Sequence, residues 1–101
     1  MFDKAKELYQ LQKKAKEVQR ELKNTEVEAA SVDGLVSIVF SADQKIKEVK
    51  IDESLLVPEK KRELEEKIVR VTSEGLSRVQ AVAAERTKGL MSDMGINLPG
   101  M

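Results

Sequence analysis

The chain changes its polar–apolar period twice. Over residues 2–24, Leu8, Leu11, Ala15, Val18 and Leu22 recur at steps of three and four. That is the a/d seam of a heptad, and it predicts a helix with one apolar face. With the seam turned inward, Lys6, Lys13 and Arg20 fall at f positions and Lys16 and Lys23 at b, forming a basic outer face. Glu7, Glu17 and Glu21 flank this face at g and c, and Asn24 and Thr25 are stop signals.

From residue 25 the period becomes two. TEVEAASV (25–32) and LVSIVF (35–40) read as strands joined by Asp33-Gly34, a dipeptide suited to a two-residue type I′ turn with both φ angles positive. SADQ (41–44) is a second polar turn, and KIKEVKI (45–51) returns as a third strand. Its alternation slips between Ile46 and Val49, and a bulge there would restore a common face. Asp52 can cap a single helical turn. Pro58 at a first helical position, with Glu59 after it, begins a long helix. Leu64, Ile68, Val71, Gly75, Val79, Val82 and Leu90 share one face of that helix, which runs to about Asp93 and ends at Gly95. Two readings of Gly75 stay open: a close helix–helix or subunit contact, or a tolerated glycine.

The predicted fold class is α+β: an N-terminal helix, a three-stranded antiparallel meander and a long C-terminal helix. Residues 1–94 form a single domain and 95–101 a tail. Such helices span ~35–50 Å, while seven-residue strands span only ~23 Å. The helices must therefore overhang the sheet, and overhanging apolar stripes need a partner. An intertwined or edge-paired homodimer with projecting helices is the expectation.

Composition narrows the chemistry. The 101 residues include no cysteine and no histidine, which removes disulfides, thiolate zinc sites and the usual base near neutral pH. The carboxylate pairs Asp52/Glu53 and Glu65/Glu66 fit a helix cap and a solvated face, and no glycine-rich phosphate loop is present. No enzyme activity, cofactor, metal or small-molecule substrate is expected. The longest apolar stretch, Leu35 to Phe40, is far short of the ~20 residues of a membrane span, and the N-terminus lacks a signal-peptide core. A cytoplasmic protein without membrane contact is expected. With only Phe2, Tyr9 and Phe40 as aromatics, a base-stacking surface for single strands is not expected.

Charge changes the picture further. The chain carries 18 basic and 18 acidic side chains, unevenly placed. Residues 1–24 hold seven basic and four acidic groups, and residues 25–58 hold three and seven. The basic excess therefore belongs to the first helix. Its stripe is either a solvated back or a phosphate-contacting surface that a dimer would present twice. Lys60, Lys61 and Arg62 open the long helix, either paired with Glu65 and Glu66 or available to an anion.

The layout resembles the YbaB/EbfC family of bacterial nucleoid-associated proteins over nearly the full chain. The marks are LYQLQKKAKEVQRELKN in the first helix, GLVSIVF after a turn, VKIDESLL leading into the long helix, and the ending NLPGM. The chain departs from the family's habit in three ways. Its first helix has no methionine after Met1, a single glycine (Gly34) precedes the second strand, and Ala42-Asp43-Gln44 stands where a glycine is usual. The resemblance implies a homodimer with tweezer-like helical arms that binds duplex DNA in the nucleoid, with the helices flanking the sheet making the contact. Mapped here, that contact falls first on Lys6, Lys13, Lys16, Arg20 and Lys23 and then on the basic positions of the long helix, mainly as phosphate contacts without catalysis. The alternative is a structural homodimer that binds another protein and has no useful DNA affinity.

Overall fold

The first helix, α1, covers Phe2–Asn24, and its end is set by Thr25. The Thr25 hydroxyl donates to the Glu21 carbonyl at 2.6 Å, satisfying one of the carbonyls a helix end leaves open. The computed structural model describes residues 2–93, with side chains from Lys4 onward. The expected stop at Gly95 and the tail 95–101 lie outside the described residues.

Three strands follow, β1 (Glu26–Ala30), β2 (Val36–Ser41) and β3 (Lys45–Ile51), in the antiparallel order β1-β2-β3. The meander is as expected, and so is the bulge. Val39 pairs with Glu48 and Phe40 with Ile46, so Lys47 is the extra residue. Ile46 and Val49 thereby return to the face carrying Phe40 and Ile38.

The first hairpin differs from the two-residue turn expected. Ser31 N–H donates to the Val36 carbonyl across a four-residue loop, and Gly34 N–H donates to the Ser31 carbonyl. Only Gly34 takes a positive φ, at 75°. The reason is the Asp33 carboxylate, which accepts from the Ser31 hydroxyl at 2.7 Å and from Leu35 N–H at 3.1 Å. This side-chain turn holds Asp33 in an ordinary conformation, and Val32 is left fully in solvent. In the second turn Gln44 itself adopts φ 72°, the left-handed region that glycine enters most easily.

Asp52 caps a short 3-10 turn at Glu53–Leu55, its carboxylate accepting from Ser54 N–H at 3.0 Å. Pro58 heads a second 3-10 turn, Pro58–Lys60, so the long helix α2 begins at Lys61 rather than at the proline. α2 runs to Asp93. It lies across β1 and β2 and buries Val71, Gly75 and Val79 against Ala29, Val36, Ile38 and Phe40, with Leu55 closing the end of the core.

Gly75 resolves differently from both sequence readings. A Cβ built there would collide with Cε2 and Cζ of the Phe40 ring. The missing side chain admits a ring from the sheet, neither a second helix nor a tolerated vacancy. Two polar struts hold α2 on the β1 side. The Arg78 guanidinium donates to the Glu28 carbonyl at 2.8 Å, and Lys67 meets Asp33 of the hairpin at 2.5 Å. Lys67 and two local donors hold the Asp33 carboxyl well below the usual carboxylate range. The opposite flank of α2, with Val69 and Leu76, lies toward β3 and leaves that strand uncovered, with Ile46 56% and Val49 48% exposed. No described helix is long and apolar enough to cross a membrane.

Candidate nucleic-acid interface

The two helices leave the sheet together as an arm. Glu21 of α1 pairs with Arg86 of α2 at 3.6 Å, while Lys14 shares a cleft with Asp93 further out. The helices are therefore antiparallel, and the molecule extends 68 Å along its longest axis against 26 and 15 Å. Leu11, Ala15, Val18 and Leu22 are half-buried, as a seam against α2 requires. Leu8 is the exception at 61% exposed.

Lys6, Lys13, Lys16, Arg20 and Lys23 are all exposed. At 100° per residue they centre roughly 150° around the helix from the seam. The structure brings all five onto one outward surface. Between Lys6 and Lys23 the row covers ~26 Å of helix. None of the five has a carboxylate within ion-pair distance among the described residues, whereas Lys14, off the row, lies 3.9 Å from Glu17. A row of unpaired cations on a rigid rod can replace the counterions of a phosphate backbone.

One residue of this surface was passed over in the sequence. Tyr9 sits between Lys6 and Lys13, completing the series 6, 9, 13, 16, 20, 23, and is 67% exposed. The signal was available in the three-four spacing, but a search for charge alone skips a neutral ring.

The flanks of the row differ. On one side lie Glu7, Glu17 and Glu21, the last two bordering the cleft between the helices, a space of about 610 Å³ that Glu85 and Asp93 also line. On the other side lie the neutral Gln12 and Gln19. Polyanion approach is therefore disfavoured over the acidic cleft and open over the glutamines. The basic side chains of α2 contribute unevenly. Arg78 and Arg86 are held by Glu74 and Glu21, and Arg62 pairs with Glu66 at 3.3 Å. Lys60, Lys61 and Arg62 lie at the sheet end of α2, away from the row on the arm.

A nucleoid-associated protein of Rhodopseudomonas palustris (strain BisA53) is 38% identical over 94 residues, covering 93% of this chain and 88% of its own. One from Bradyrhizobium sp. (strain ORS 278) is 36% identical over 91 residues, covering 90% and 86%. The crystal structure of an uncharacterized protein, HP0035 from Helicobacter pylori, superposes with a TM-score of 0.71 at 25% identity, covering 86% of this chain and 87% of that one. The family model described as the YbaB/EbfC DNA-binding family matches residues 1–94. By that span, and by relatives alike over nine-tenths of its length, this helix–meander–helix chain belongs to the YbaB/EbfC DNA-binding family.

Proposed function

We propose that the protein is a non-enzymatic, nucleoid-associated homodimer of the bacterial cytoplasm that holds duplex DNA mainly by its phosphates. Lys6, Lys13, Lys16, Arg20 and Lys23 make the contacts. The observation that carries this reading is the unpaired basic row on the outer face of a projecting helix. It answers the objection of zero net charge: the acidic excess belongs to residues 25–58, in the sheet and its turns, while the arm is basic. Phosphate contact positions a protein without reading bases, so binding is weakly sequence-selective.

The second copy is expected on the uncovered half-face of β3. Ile46 and Val49 are exposed there on a strand whose outer edge has no partner among the described residues, beside the Val69 and Leu76 flank of α2. A free strand edge bordered by apolar side chains favours a copy of the same sheet. Such a dimer would display the basic row twice.

The test is the salt dependence of binding to a short duplex. With about six of the dimer's ten row cations on phosphates at one time, log K falls against log salt with a slope near −5. Substituting Lys13, Lys16 and Arg20 together with glutamine should flatten that slope, leaving the helical circular dichroism unchanged. Absent binding at low salt, or a triple variant that binds like the parent, would favour a dimer that engages another protein instead.

A further inference from the structure

The position of Tyr9 asks for an explanation that the charged row does not give. Its ring is not part of the seam, which lies on the opposite side of α1, and it is 67% exposed. Its hydroxyl makes no hydrogen bond to another described residue. It nevertheless occupies the step between Lys6 and Lys13 where the row would otherwise break. An exposed aromatic is a poor choice for a merely solvated helix face, where lysine, glutamate and glutamine are favoured.

We infer that Tyr9 is a neutral member of the phosphate-binding row, its hydroxyl donating to a backbone phosphate oxygen between the phosphates held by Lys6 and Lys13. This rests on the duplex-binding reading above and deepens it. A phenolic O–H donates to an ionised oxygen in a charge-assisted hydrogen bond. The ring holds that donor on only two rotatable bonds, so little freedom is lost on contact. Base stacking is the weaker assignment. Platforms for unpaired bases set several rings in succession, and here Phe40 is buried in the core while cations border Tyr9 along the row. Because the tyrosine is neutral, its contact releases no counterion. It therefore adds affinity without adding to the salt slope, in contrast to each lysine beside it.

The chain contains one tyrosine and no tryptophan, so its intrinsic fluorescence reads this side chain alone. Titrating the full chain with a short duplex should change tyrosine emission with the same midpoint as the anisotropy of labelled DNA. Tyr9→Phe should bind about fivefold more weakly at every salt concentration, with a line of log K against log salt parallel to that of the parent. Tyr9→Lys should recover affinity at low salt and steepen the slope by about 0.9 per added phosphate contact. Because Tyr9 is exposed, all variants should keep the parent's circular dichroism. Unchanged emission, or a Tyr9→Phe variant that binds like the parent, would overturn the assignment. If Lys13→Gln still weakened binding in that case, the phosphate-row reading would stand without Tyr9. Absence of duplex binding by the parent at low salt would overturn both together.

Discussion

Two glycines of the same helix illustrate how far single residues depend on their surroundings. Gly75 and Gly89 both interrupt α2, where glycine costs about 1 kcal/mol relative to alanine. At Gly75 the added methyl would collide with the Phe40 ring, which is itself fully buried. At Gly89 nothing lies within 4 Å of the position a Cβ would take. The same substitution should therefore act with opposite signs. Gly75→Ala is expected to cost about 1–3 kcal/mol through overpacking, and Gly89→Ala to add about 0.5–1 kcal/mol of stability. Urea denaturation of the two variants checks this directly. Combining Gly75→Ala with Phe40→Leu should recover part of the loss, since the clash is with the ring's far edge. If Gly75→Ala were as stable as the parent, the ring would have to move freely and the close contact would not hold α2 in place.

At the scale of elements, α2 is fastened to the sheet by a core and by struts on one side. The hairpin strut is pH-sensitive in a definite direction. Lys67, Ser31 and the Leu35 amide together lower the Asp33 carboxyl below its unfolded value near ~3.9. A depressed folded pKa means that the ionised form stabilises the fold. That contribution is complete above about pH 4 and is lost as pH falls toward the folded value. Asp33→Asn should consequently lower the urea midpoint at neutral pH, and the gap from the parent should narrow as pH drops below about 4. A gap that stays constant down to pH 2 would mean that Asp33 acts through turn shape alone. This strut also marks where the sequence stopped being legible. Periods of 3.5 and 2 identify α1, the meander, the bulge and α2, because each element buries one continuous face. The hairpin's true geometry depends on where one carboxylate finds its donors. The fit of Gly75 to Phe40 joins residues far apart in the chain, and no local pattern encodes either. The five basic residues of the row were legible because helix geometry alone puts them on one face, whereas Tyr9 carries no charge to betray it.

For the whole molecule, the decisive relation is between the uncovered sheet and the basic arm. The row on a single arm offers five cations over ~26 Å, which gives modest affinity and a shallow salt dependence. Joining two copies makes the second arm's contact intramolecular, with an effective concentration set by a rigid body rather than by bulk protein. Affinity should then exceed that of one arm by a large factor, while the number of released counterions only doubles. A substitution on the sheet, distant from every proposed DNA contact, can separate these effects. Ile46→Glu places a charge in the exposed apolar half-face of β3, where a partner sheet would bury it unpaired. In sedimentation equilibrium this variant should be a monomer, with the parent's circular dichroism because Ile46 is already 56% exposed. Its salt slope should be about half that of the parent, and its duplex affinity at fixed salt should fall about 100-fold or more. A variant that remains dimeric would move the interface away from β3. A monomer that kept the parent's slope would mean that one arm makes all the phosphate contacts, leaving the second copy another task.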